Sequence, residues 1–339
     1  MANRANKFSA MGHGANGDVA LWPTARIGPG ADRARPRLIP GGLVSIPALL
    51  LSDSRFPAGG HAHSGGVEPA VTAGTVSDLA SLEAFLRGRL RTAGLVAAGL
   101  AAAACMRAGR TESATTAETD VAAVPGPDRP IDRGSASGNG DQRVVPGEGS
   151  DFWGEIDAEA DARTPSPAQR AASRRQGRAL LRAARVAWPD DGGLAALAAS
   201  GAASARRPQA AADARTAGGT TTTRTAVGCA KAEYRGGAHH AVVLGVAAAA
   251  AGCDAGDAAR IAAYQSVAGP ASAAVRLLAL DPMRATAVLA RLAPDIDHAA
   301  ELAAAAADGP LDELPCPSAP ALDLLAEAHI RAEVRLFES

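Results

Sequence analysis

Lysine is almost absent from this chain: Lys7 and Lys231 are the only two among 339 residues. A lysine-based phosphate clamp therefore has almost nothing to use, and no Gly-x-x-x-x-Gly-Lys-Ser/Thr loop occurs. Also missing are His-Glu-x-x-His and Gly-x-Ser-x-Gly, the signatures of zinc proteases and of serine hydrolases with a nucleophile elbow. The four cysteines, Cys105, Cys229, Cys253 and Cys316, are far apart and form no Cys-x-x-Cys unit, which argues against a disulfide framework and a zinc knuckle and for small buried hydrophobes. The formal net charge is −1, without a basic stripe interleaved with aromatics, so the electrostatic footprint of a nucleic-acid binder is missing. The apolar runs Ala93 to Cys105 and Ala241 to Cys253 are about 13 residues each, short of the roughly 20 that span a bilayer. No apolar run of signal-peptide length opens the sequence. We expect a cytoplasmic protein with no membrane segment, no resident cofactor and no catalytic residue.

Aromatics are only 3% of a chain that is 47% hydrophobic, and alanine carries most of that share. Alanine loses the least entropy in a helix, whereas strand-forming residues are sparse and do not alternate. The expected fold class is all-α: a single helical bundle domain over residues 43–339, behind a disordered tail over residues 1–42. Two stretches poor in large apolar residues, 110–149 and 201–227, are expected to be disordered insertions. Alanine buries little area per position, so the core is thin and partners are expected to supplement it.

Helical pattern starts near Ser45, is interrupted by the turn-rich Asp53 to Gly66, and resumes from Val67 to Ala73. Ser77 is placed to cap a helix whose Leu79, Leu82, Phe85, Leu86 and Leu90 share one face. Pro167 to Trp188 reads as a helix begun by proline. Its Arg170, Arg174, Arg175, Arg178, Arg182 and Arg185 read either as a solvated face or as a partner-binding one. From Gly237 to Leu292 the helical pattern is nearly continuous, punctuated at Gly252 to Gly256 and at Asp281-Pro282, with Asp254 as a cap. Pro294, Pro315, Pro317 and Pro320 are expected to break the chain before a last amphipathic segment, Leu322 to Val334. The pairs His61/His63 and His239/His240 could ligate a metal, but lack cysteine or carboxylate companions at recognisable spacing, so no metal site is assigned.

The segment Leu49 to Val71, LLLSDSRFPAGGHAHSGGVEPAV, resembles the N-terminal signature of the UreF family of urease accessory proteins. The matching positions are Ser52, Phe56, Pro57, Gly59, Gly60, Ser64, Gly66, Val67 and Glu68. Pro57 fixes φ, Gly59 and Gly60 permit a tight turn, and Ser64 is placed to cap the helix that carries Glu68. Ser173 to Leu181 is similar to the family's Ser-x-x-x-Gly-x-x-Leu-Leu helix, Tyr264 to Leu278 resembles its long C-terminal helix, and Leu322 to Ser339 its tail. Two departures stand out: Val67 replaces the usual leucine, and Ala279-Leu280-Asp281-Pro282 stands where the family continues Pro-Leu-Gly-Gln.

The resemblance implies a non-enzymatic adaptor. Proteins of this family are helical and dimerise; they bind a UreH/UreD-type accessory protein and recruit the nickel-carrying UreG-type GTPase, so that nickel reaches apo-urease. On that reading the partner-binding residues are Phe56, Pro57, Gly59, Gly60, His63, Ser64, Glu68, Arg175, Arg178, Tyr264, Leu336 and Phe337. Each has an ordinary structural reading beside it: core for Phe56, turn for the glycines, solvated face for the arginines. Two other readings stand alongside: a GTPase-activating protein that supplies an arginine in trans, and a helical structural protein unrelated to urease.

Overall fold

The computed structural model describes residues 45–53, 56–57, 62–121, 152–200, 237–333 and 335–337. These residues fold as helices, with no strand among them. The elements are α1 (Ile46–Ser52), α2 (Val67–Thr72), α3 (Leu79–Arg89), α4 (Leu95–Val121), α5 (Phe152–Ala162), α6 (Pro167–Ala187), α7 (192–200), α8 (His240–Ala250), α9 (Ala255–Leu278), α10 (Pro282–Ala306) and α11 (Pro320–His329). The expected tail, the stretch 201–227 and most of 110–149 lie outside the described residues.

Helix α4 is the axis of the bundle. It is packed by α8, α9 and α10; α9 and α10 lie against each other, α6 covers α8, and α11 touches α2 and α6. The buried side chains of α4 and α8 are chiefly alanine and valine, from Ala98 to Cys105 and from Ala241 to Ala249. Small residues compensate for their low volume by letting backbones approach. A Cβ on Gly245 of α8 would stand 2.2 Å from the Ala101 carbonyl of α4. Gly177 of α6 repeats the device at the start of α8, where a Cβ would fall 2.1 Å from the Ala238 carbonyl.

Helices α3 and α4 are joined by a π-helical turn, Leu90–Gly94, into one rod. Leu79–Arg110 is thus 32 residues of helix, long and apolar enough to cross a membrane. The sequence runs considered singly, near 13 residues, miss this because the rod also recruits Leu82, Leu86 and Leu90. Those three are buried, together with the run Ala98 to Cys105, under neighbouring helices.

Four local expectations are corrected. The cap of α3 is Asp78, not Ser77: its carboxylate accepts from the Ser81 amide, and the Ser81 hydroxyl accepts from the Asp78 amide in a capping box. Helix α4 runs on to Val121, beyond the expected start of disorder at Arg110, because extending a nucleated helix adds a hydrogen bond for each residue fixed. Pro294 lies inside α10 and does not break it; the carbonyl it deprives belongs to Ala290, on the exposed side. The last helix ends at His329 instead of Val334.

Candidate functional site: the Phe56–Glu68 segment, the tail and the groove

Glu68 stands in the first turn of α2 and is buried. Its carboxylate accepts from the backbone N–H groups of Leu336 at 2.7 Å and Phe337 at 2.9 Å, and the His329 ring nitrogen Nε2 lies 3.3 Å away. The Phe337 ring is buried under the Arg276 guanidinium, 4.3 Å from its centroid. Two residues expected at a partner surface, Glu68 and Phe337, are therefore engaged within the chain. Leu336 beside them is 73% exposed.

Ser64 does not cap α2. Gly66 occupies the cap position at φ 89°, Gly65 precedes it at φ 58°, and the Ser64 carbonyl accepts from the Val67 amide. The left-handed pair turns the chain before the helix begins, leaving the buried Ser64 hydroxyl without a partner. Phe56 is half-buried and stacks on Trp188 at 6.4 Å, while Pro57 is exposed. Gly59, Gly60 and His61 lie outside the described residues.

A second cluster joins α5, α6 and the start of α8. Arg174, read from sequence as part of a polar face, is buried. Its guanidinium bonds Asp157 and Asp161 at 2.7 Å each and the Gly237 carbonyl at 2.6 Å. Asp157 accepts from the His239 amide, and Ser173 Oγ from the His240 amide. The first N–H groups of α8, which have no partner in their own helix, are thus capped from its neighbours. The His239 ring bridges Ser173 Oγ at 3.0 Å and Asp161 Oδ1 at 2.9 Å. Burial works to raise the Asp161 carboxyl, but the His239 and Arg174 bonds outweigh it and the net shift is downward. Serine, histidine and aspartate stand here in the order of a catalytic relay. The serine, however, is held by a helix amide and the aspartate is already paired with Arg174, which makes the cluster a lock for the start of α8.

Sequence reasoning missed α5 and so missed Asp157 and Asp161, although their i, i+4 spacing in a segment beginning Phe-Trp was a usable sign of a helix face. His240 lies at the edge of this lock; burial and the neighbouring His63 push its pKa down to about 4. No group of three or more metal-ligating side chains occurs among the described residues. Arg175 projects from α6 into solvent and Arg178 is half-buried, its stem against Gly237.

Between these features runs a groove of about 1540 Å³, lined by α1, residues 63–66, α6, α9 and α11. Phe56, His63 and Tyr264, three of the residues expected at a partner surface, border it. Tyr264 is 40% exposed, and Leu49 of α1, also on the groove, 53%.

The family model UreF matches residues 76–293, which include α3, α4, α5, α6, α8, α9 and the first half of α10. The chain belongs to the UreF family. It is 38% identical to the urease accessory protein UreF of Mycolicibacterium vanbaalenii over 293 residues, 86% of this chain and 97% of that one. The UreF of Mycobacterium sp. strain JLS is 38% identical over 291 residues, again 86% and 97%. That of Mycobacterium tuberculosis H37Rv is 34% identical over 298 residues, 88% of this chain and all of its own. UreF membership places this helical protein among the accessory factors of urease maturation.

Proposed function

We propose that this chain is a cytoplasmic adaptor, dimeric in its working complex, that bridges a UreH/UreD-type accessory protein and a UreG-type GTPase so that nickel is inserted into apo-urease. The observation that carries the reading is its likeness, over more than four fifths of its length, to proteins named urease accessory protein UreF. Adaptors act through surfaces, and four expected contact residues are outward-facing: Pro57, Arg175 on α6, Tyr264 on α9 and Leu336 on the tail. Nickel in this scheme is cargo passed between partners.

The test is co-purification from cells expressing a complete urease gene set, with the tagged chain intact or carrying Leu336→Glu. Leu336 is exposed, so its replacement leaves the fold standing. Recovery of both partners by the intact chain, with the UreH/UreD-type protein lost from the variant, is the expected result. Recovery of neither partner by the intact chain would defeat the adaptor reading.

A second reading rests on the exposure of Arg175: stimulation of GTP hydrolysis by an arginine supplied in trans. Arg175→Ala with Arg178→Ala separates the two. Lost GTP turnover with the complex retained supports a catalytic arginine, and parallel loss of both supports a scaffold.

A further inference from the structure

Arg89 closes α3 at the edge of the groove, where the π-helical turn Leu90–Gly94 begins. Its Nε donates to the Ser266 carbonyl at 2.9 Å. Its guanidinium lies against Gly65: a Cβ there would be 3.2 Å from Arg89 Cζ and 2.7 Å from Pro270. Among the described residues no carboxylate comes within ion-pairing distance of it, although Asp53 and Asp323 line the same groove. Every other arginine of α3 and of the turn after it has one: Arg87 meets Glu83 and Asp295, and Arg91 meets Asp295. Burial lowers the Arg89 pKa to about 10, which leaves it cationic at neutral pH. A mostly buried cation with two terminal nitrogens still able to donate is an unmatched half of a charge-assisted pair.

The rest of the groove says what shape the other half takes. Its volume, about 1540 Å³, exceeds the roughly 300–1,000 Å³ of small-molecule pockets. Val96, Gly66, Gln265 and Pro270 line it together with Arg89, as do the exposed Leu49 and Tyr264. Of the three arginines on its lining, Arg163 is paired with Glu159 and Arg276 covers the Phe337 ring. An extended, partly apolar floor on which Arg89 lacks a carboxylate therefore fits a polypeptide segment that lays apolar side chains along α1 and α9 and sets one carboxylate on the Arg89 guanidinium.

We propose that this groove is a docking site for an acidic peptide segment of a partner protein, anchored by one Asp, Glu or C-terminal carboxylate on Arg89. The site deepens the adaptor reading by naming the chemistry of one partner, but it is tested on the purified chain alone, so the two can fail separately.

The experiment is selection of a random twelve-residue phage-displayed library on the intact chain, followed by fluorescence polarisation with the synthetic peptides recovered. The peptides are expected to share a carboxylate flanked by apolar residues. Replacing that carboxylate by its amide should weaken binding by about tenfold or more, the scale of a desolvated charge-assisted contact. Arg89→Met should abolish the difference between acid and amide, while Arg87→Met, on the same helix outside the groove, should preserve it. Should Arg89→Met fail to fold, the acid-to-amide comparison on the unaltered chain decides alone. Recovery of no peptide, of peptides without a shared carboxylate, or of peptides bound equally as acid and amide would overturn the proposal.

Discussion

The Arg89 side chain donates to the carbonyl of Ser266, the residue four before Pro270 in α9. That is the carbonyl proline leaves without its helical donor. Arg89 therefore supplies from a distant helix the bond that Pro270 withholds within its own, and the break in the α9 ladder is matched by a neighbour. Removing the arginine should cost more while Pro270 is present. In urea unfolding, Arg89→Met is expected to destabilise less in a Pro270→Ala background, with a coupling of about 1–2 kcal/mol. Equal losses in both backgrounds would show that the bond is incidental.

The Glu68 carboxylate accepts from the amides of both Leu336 and Phe337. Glu68→Ala leaves those two amides and the His329 ring without it, at a cost of about 2–3 kcal/mol concentrated on the tail. Hydrogen exchange should accelerate at Leu336 and Phe337 before it does in α4, and trypsin should cut after Arg335 at a concentration that spares the wild type. A tail equally protected in the variant would place its anchorage elsewhere, on Phe337 under Arg276.

Gly245 is set by contact. Alanine there would press on the Ala101 carbonyl and the Ala104 side chain, both in the central helix. Overpacking of this kind costs about 1–3 kcal/mol, so Gly245→Ala should lower the urea midpoint. Gly88→Ala, whose added methyl meets nothing within 4 Å, should leave the midpoint unchanged or raise it. A rise at both positions would mean the two helices can slide apart freely.

Asp161 carries a pH signature. Its carboxyl is held below the ordinary 3.8 when folded, since the His239 and Arg174 bonds outweigh the opposing effect of burial. A depressed folded pKa contributes stability that is present above the unfolded value and is lost as pH falls through the lower, folded one. Asp161→Asn should thus be less stable than the wild type near neutrality. The gap should narrow as pH drops below about 4, in denaturant midpoints measured across the acid range. A gap independent of pH would assign the loss to geometry alone.

Much of the bundle was legible in the sequence because alanine-rich periodicity and capping residues act locally. Asp254 caps α9 as expected, and Pro167 opens α6, which ends at Trp188. What escaped depends on partners distant in sequence. Nothing in the run Ser173 to Leu181 says that Arg174 turns inward; that follows from two acids on α5, in a helix the sequence reading passed over. Glu68 and Phe337 were singled out on a family resemblance, but that they lie against each other is a fact of tertiary closure, invisible to local pattern. Ser64 was misread as a cap because the two left-handed glycines after it move the start of the helix.

That closure reaches back into how the chain is made. The acceptor is residue 68 and its donors are residues 336 and 337, so α2 leaves the ribosome long before its last partners have been synthesised. Through most of translation the Glu68 carboxylate has only solvent or some other molecule to bind. Contacts between residues far apart in sequence form late, and this one cannot form until residues 336 and 337 have been made. A product that stops short of Leu336 would keep its helices and lack the clasp.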